Sequence, residues 1–156
     1  YVKEFDITKE NKSIAFCGQV GSGKTHLAVS IANELLDTAV GVMYMPYRHS
    51  ITNLKQFIID SDKYQKEIDN YKNAEVLFID DLFKGKITES DINIMFEIID
   101  YRYFKGLPVI ITTEKSMSEL INIDEAVGSR LFEMCKDYTV HITDPNLNYR
   151  LRKEQK

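Results

Sequence analysis

The stretch Gly18-Gln19-Val20-Gly21-Ser22-Gly23-Lys24-Thr25 constrains this chain more than any other eight residues. It follows an apolar burst, SIAFC at 13–17, and precedes a segment in which Leu27, Ile31 and Leu35 recur every four residues. The local order is therefore strand, glycine-rich loop, helix. Glycines let the backbone curl so that successive N–H groups converge, and the following helix aims its positive end at the same point. Such a loop is built for an anion. The full pattern, G-x-x-x-x-G-K-[ST], adds an ammonium for β- and γ-phosphate oxygens and a hydroxyl for Mg²⁺. Gly18, Gln19, Val20, Gly21, Ser22, Gly23, Lys24 and Thr25 are thus the expected nucleotide-binding residues. His26 comes next, either joining them or packing as a helix residue beside the loop.

Four more bursts follow: GVMYM (41–45), EVLFID (75–80), PVIITT (108–113) and YTVHIT (138–143). Each is short and nearly continuous, as expected for strands buried on both faces of a parallel sheet. Between them lie helical spacings. Leu54, Phe57, Ile58, Tyr64, Ile68 and Tyr71 mark one long helix or two. Ile92, Met95, Phe96, Ile99 and Tyr103 mark another, opened by a Thr88/Asp91 capping-box pattern. Leu120, Ile123, Val127 and Leu131 mark a further, broken one. Repeated alternation of strand and helix predicts an α/β fold with a five-stranded parallel sheet. No repeat or linker interrupts it, so residues 1–156 are expected to form a single domain.

Val76-Leu77-Phe78-Ile79-Asp80-Asp81 is an apolar strand ending in two acids. Carboxylates at a strand's C-terminal tip point into the crevice where parallel sheets bind ligands. Asp80 is expected to hold Mg²⁺ and Asp81 to orient or deprotonate an attacking water; the plain alternative is a solvated turn with two surface acids. The extra strand between the glycine loop and this pair is the mark of the ATPase branch of P-loop proteins. It favours hydrolysis over transfer to a small metabolite.

Composition sets the remaining bounds. With 156 residues, 44% of them hydrophobic and 28% charged, the chain can bury a core without staples. A net charge of −4 excludes a strongly basic coat for nucleic acid but leaves room for a local basic strip. Two cysteines, Cys17 and Cys135, are too few for a disulfide framework or a zinc site and fit a reducing cytoplasm. The start, YVKEFDITKE, lacks the pattern of a secretory signal. The longest apolar run, 39–47, falls far short of the roughly 20 residues of a spanning helix.

Three further segments, IDDLF (79–83), PVIITTEKS (108–116) and GSRLFEMC (128–135), are followed by NYRLR (148–152). In this order the chain resembles the AAA+ ATPases of the DnaC/DnaI helicase-loader group, phage-type DnaC proteins above all, with the transposition helper IstB a near relative. The resemblance spans nearly the whole chain. It implies a three-layer P-loop NTPase of the ASCE/AAA+ type with a reduced or absent C-terminal lid. It also implies ATP and Mg²⁺ as ligands, single-stranded DNA and a replicative helicase as partners, and an ATP-dependent homo-oligomer. Gly18–Thr25 matches Walker A and Asp80-Asp81 Walker B, and strand 108–113 matches sensor I. Arg130 matches the arginine finger acting in trans; the plain alternative pairs it with Glu125 or Glu133. Catalytic roles are thereby implied for Asp81, Lys24, Arg130 and Thr113.

The chain departs from the family in two places. Where loaders commonly carry Asn after the sensor strand, this chain has Glu114. Either Thr113 takes the polar role, or Glu114 turns away to pair with a cation. The second departure is the lid that a full AAA+ module adds after its fifth strand: thirteen residues follow Thr143, and Arg150 is the one candidate for the lid arginine. The family's helicase-gripping N-terminal domain is expected to be absent, leaving the motor piece. For DNA, Lys84 and Lys86 in the loop after the acid pair, or the terminal Arg150, Arg152, Lys153 and Lys156, could meet phosphates, with Phe83 or Tyr149 stacking; Tyr47-Arg48-His49 is a further candidate. The plain alternative is a solvated loop and a charged tail. Two other functions stay open: a non-hydrolysing, ATP-gated assembly module and an IstB-like transposition helper.

Overall fold

The computed structural model of the protein describes residues 1–6, 13–143 and 148. A short 3₁₀ turn at Val2–Glu4 precedes β1 (Ile14–Gly18), α1 (Lys24–Asp37), β2 (Val42–Pro46), α2 (Tyr47–Phe57) and α3 (Ser61–Asn73). Then come β3 (Val76–Asp80), α4 (Glu89–Lys105), β4 (Val109–Thr113), α5 (Met117–Ile123), α6 (Glu125–Met134) and β5 (Thr139–Ile142). All neighbouring strands are parallel, in the order β2-β3-β4-β1-β5. This is the five-stranded parallel sheet of an α/β P-loop NTPase, as the sequence predicts.

Strand alternation divides the core in two. Ile14, Phe16, Val76, Phe78 and Ile110 face α1 through Ala28, Ala32 and Leu35. Ala15, Cys17, Leu77, Ile79, Val109 and Ile111 face the larger layer built by α2 to α6. Successive side chains of a strand point to opposite faces, so a continuous apolar run feeds both layers at once. Each fully buried aliphatic or phenyl side chain contributes about 1.5–3 kcal/mol.

Two expectations need correcting. Only β3 and β4 are buried along their whole length, while β5 is part-exposed throughout and β2 leaves Tyr44 exposed. Both are edge strands with a neighbour on one side only. In α1 the inward stripe is Ala28, Ala32 and Leu35, whereas Leu27 is 46% exposed. Alanines let the helix sit close to the sheet, which a leucine stripe would prevent.

The helical spacing over 54–71 resolves into two helices, parted at 58–60, where Asp60 caps α3 by accepting from the Lys63 N–H. The capping box of Thr88 and Asp91 forms as its residue types require. The fourth spacing breaks at Asp124, whose carboxylate caps α6 through the Val127 N–H (2.8 Å). Gly128 explains how tightly α5 and α6 lie together: a Cβ there would strike the Ile121 backbone.

Among the described residues no helix is long and apolar enough to cross a membrane. The segment NYRLR beyond Asn148, Arg150 as lid arginine, and the terminal basic cluster lie outside the described residues.

Candidate nucleotide site

β1 ends at Gly18, the loop turns through 19–23, and α1 begins at Lys24. Gly23 caps the helix at φ +88, a left-handed conformation costly for any residue with a Cβ. Gly21 also has positive φ, and the Asn148 side chain lies close enough against it that a Cβ would collide. The curled loop borders an open cleft of about 540 Å³. Residues 20–26 line it, including His26, which is exposed on the first turn of α1. Gly18 and Gln19 stand behind it. Gly18 lets β5 approach, since a Cβ would run into the Ile142 carbonyl. The Gln19 carbonyl accepts from Lys24 Nζ (2.7 Å) and Ser22 Oγ (2.8 Å). Val20 and Leu27 give the rim two exposed apolar side chains.

Lys24 is almost wholly buried. Burial pushes its pKa below the ordinary lysine value, against the pull of the Glu114 and Asp81 carboxylates. Across the cleft, Asp80 stands at the tip of β3. Its Oδ1 accepts from Thr25 Oγ1 (2.9 Å) and Thr112 Oγ1 (2.5 Å), and its Oδ2 from Tyr44 OH (3.0 Å). Partial desolvation of its hydroxyl, with the bond to Asp80, pushes the Tyr44 phenol up to about 12, so it stays a donor. The glycine loop and the acid pair, 55 residues apart in sequence, thus meet through one hydrogen bond. A hydroxyl beside a carboxylate is a hard-oxygen pair that fits Mg²⁺.

Asp81 faces the cleft with φ +58, in the left-handed region that Asp tolerates at modest cost. Its N–H donates to Thr112 Oγ1 (2.8 Å). One threonine hydroxyl therefore fixes both acids of the pair.

Of the two sequence alternatives at the sensor position, the structure has the second. Glu114 pairs with Lys84 (3.1 Å), which also binds Asp81 (2.9 Å). Thr113 does not face the cleft. It is fully buried, donates to the Leu82 carbonyl (3.0 Å) and accepts from the Lys115 N–H (3.1 Å), so its hydroxyl is spent on the backbone.

Arg130 lies on α6, away from this cleft. It pairs with Asp100 of α4 (2.8 Å) rather than with Glu125 or Glu133, donates to the Ala126 carbonyl (2.8 Å), and stacks among Phe96, Tyr103 and Phe104. Phe83 and Tyr47 are buried and pack edge to face at 5.6 Å, so neither is available to stack on a base. Lys84 is turned toward the cleft, while Lys86 is exposed. Sequence reasoning missed Thr112, Tyr44 and Lys84 as parts of this site. The β3–β4 register (Ile79 opposite Ile111) carries the signal for Thr112, and the β2–β3 register (Met45 opposite Ile79) the signal for Tyr44.

Sheet order, glycine cradle and carboxylate pair together define a P-loop nucleoside-triphosphate-binding domain. The sequence matches the family described as IstB-like ATP binding protein over residues 2–156, and the chain belongs to that family. It is 40% identical to the phage-like element PBSX protein XkdC of Bacillus subtilis (strain 168), over 97% of this chain and 59% of that one. It is 28% identical to a protein of insertion sequence IS5376 from Geobacillus stearothermophilus, over 94% of this chain and 58% of the relative. Among solved structures it is similar to the DnaC helicase loader, with a TM-score of 0.79 and 29% identity over 90% of this chain and 83% of that one. The chain thus spans little more than half the length of these curated relatives.

Proposed function

We propose that this chain is the ATP-hydrolysing AAA+ domain of a DNA-replication helicase loader, acting with single-stranded DNA and a replicative helicase. The observation that carries the proposal is the meeting of Lys24, Thr25, Asp80 and Asp81 at one cleft. The similarity to the DnaC helicase loader supports the choice of pathway. In this reading the loop N–H groups cradle the phosphates, and Lys24 leaves the Gln19 carbonyl for β- and γ-phosphate oxygens. Thr25 and Asp80 would hold Mg²⁺, which would supply charge neutralisation to the phosphates. Asp81 orients the attacking water. Arg130 of a neighbouring copy stabilises charge at the transferring phosphoryl group, a contribution of several powers of ten in comparable enzymes. For Arg130 to serve, its bond to Asp100 has to open.

Phosphate release measured against protein concentration, with and without single-stranded DNA, tests the proposal. Turnover should rise steeply with concentration. Lys24→Ala should abolish nucleotide binding, and Asp81→Asn should keep binding but slow hydrolysis at least tenfold. Mixing Arg130→Ala with Asp81→Asn should restore part of the activity, because an interface that joins the intact Asp81 of the first variant to the intact Arg130 of the second has both groups. Flat, DNA-insensitive background turnover at every concentration would remove the hydrolytic reading.

One observation favours a second reading, the non-hydrolysing assembly module: Asp81 is tied to Lys84 rather than free to engage water. That module would bind ATP and oligomerise with no phosphate release. The IS5376 relative keeps a transposition partner open in place of the helicase; pull-down with the cognate helicase or transposase separates the two.

A further inference from the structure

Lys84 sits where no motif requires a cation. It belongs to the loop after β3, in which Asp81, Phe83 and Gly85 all have positive φ. The loop is pinned from both sides. Leu82 and Phe83 are fully buried, and Arg48 of α2 donates to the Lys84 carbonyl (3.2 Å) from outside. What remains to move is the Lys84 side chain, whose ammonium bridges Asp81 Oδ2 (2.9 Å) and Glu114 Oε1 (3.1 Å) on the cleft wall. The charges acting on the Lys24 ammonium are Glu114, Asp81, Lys84 and Asp80. Lys24, Asp81, Lys84 and Glu114 also line the same cleft, so the bridge lies on a wall of the space that the Lys24 ammonium serves.

Charge balance makes Lys84 necessary there. Without it, and with Asp80 committed to Mg²⁺ in the reading above, Asp81 and Glu114 face a polyanion across the cleft with no cation paired to either. A γ-phosphate brings more negative charge than either carboxylate, and so competes with both for the same ammonium. A diphosphate has no γ-phosphate with which to compete.

We propose that Lys84, bridging Asp81 and Glu114 on the cleft wall, is a positioning cation that selects nucleoside triphosphate over diphosphate. As the structure has it, Lys84 offsets the two carboxylates; with triphosphate bound it turns to the γ-phosphate and releases Asp81. The inference rests on the ATP-binding reading and adds to it a residue that tells ATP from ADP. It also accounts for Glu114: the carboxylate is tolerated because a cation is paired with it.

Calorimetric titration with Mg²⁺ and either a non-hydrolysable ATP analogue or ADP tests it. All three partners are part-exposed, with side-chain exposures of 39%, 36% and 28% for Lys84, Asp81 and Glu114. Solvent therefore limits the effect to about tenfold. Lys84→Ala should weaken the ATP analogue about tenfold and ADP less than twofold. Adding Glu114→Gln should restore most of the loss, and Lys84→Arg should keep the preference. Equal weakening of both nucleotides, or an unchanged ratio, would overturn the proposal, as would a double variant no better than Lys84→Ala. If the unaltered protein binds neither nucleotide, the cradle assignment itself fails, and that result is distinct from any outcome among the variants.

Discussion

The two ends of the sheet each bury one cation, and they treat it oppositely. At the N-terminal ends of β3 and β4, Arg102 is fully buried. Its guanidinium donates to the carbonyls of Tyr71, Lys72, Ala74, Glu75 and Pro108 at 2.6–3.4 Å. Burial pulls its pKa down to about 9, which leaves it charged at neutral pH. At the C-terminal ends Lys24 is nearly as buried, yet one carbonyl receives its ammonium. One end ties both terminal nitrogens of its cation to fixed carbonyls, leaving the buried Nε without a partner, and serves the fold. The other holds its cation underused, beside carboxylates and left-handed residues, and keeps it free for something that arrives. Strain and unspent charge gather where ligands bind because a perfectly satisfied group has nothing left to offer.

Four measurements can break or sharpen this contrast. Arg102→Ala should cost the most, about 3–5 kcal/mol by urea denaturation, because five carbonyls each lose a charged donor inside the protein. Against a typical domain stability of about 5–15 kcal/mol, that approaches unfolding; a loss below about 1 kcal/mol would refute the structural role. Thr112→Val comes next. Its hydroxyl joins Asp80 to the Asp81 N–H, so about 1–2 kcal/mol should go, and phosphate release should slow with it.

Asp91 gives a smaller effect with a pH signature. Burial raises its pKa, but the Lys55 ammonium and the Thr88 bonds outweigh burial, leaving it below the ordinary 3.8. A lowered carboxylate stabilises the fold above its unfolded pKa and loses that contribution as pH falls through the folded one. Asp91→Asn should therefore cost about 1 kcal/mol at pH 7, and the gap from the unaltered protein should shrink in melts taken below pH 4. Smallest on the stability scale is Lys24→Met. A buried charge replaced by an apolar chain of similar volume should leave urea stability unchanged or slightly higher while nucleotide binding disappears. A large loss of stability would mean that the two ends of the sheet are alike.

Legibility in the sequence follows the same division. The cradle is contiguous, and its glycines, lysine and threonine declare themselves by spacing. The five apolar bursts declare the strands for the same local reason, and Thr88 and Asp91 announce α4. What escaped was made by register and by loop conformation. Thr112 reaches Asp80 across 32 residues because β3 and β4 pair as they do. Lys84 faces inward because residues 81, 83 and 85 turn left-handed, which no spacing rule reveals. Side-chain size misled in α1, where Ala28 and Ala32 join Leu35 against the sheet while Leu27 stays exposed. It misled again at Phe83 and Tyr47, aromatic residues beside basic ones that serve the core.

Gly128 has a consequence two residues downstream. With only a hydrogen in place of a side chain, α6 rests directly on the backbone of α5, and the pair is soldered along that seam. Arg130 therefore has its root clamped while its tip lies against three rings and one acid. Any excursion of the guanidinium has to come from swivelling its own methylenes, since the platform beneath it has no slack to lend.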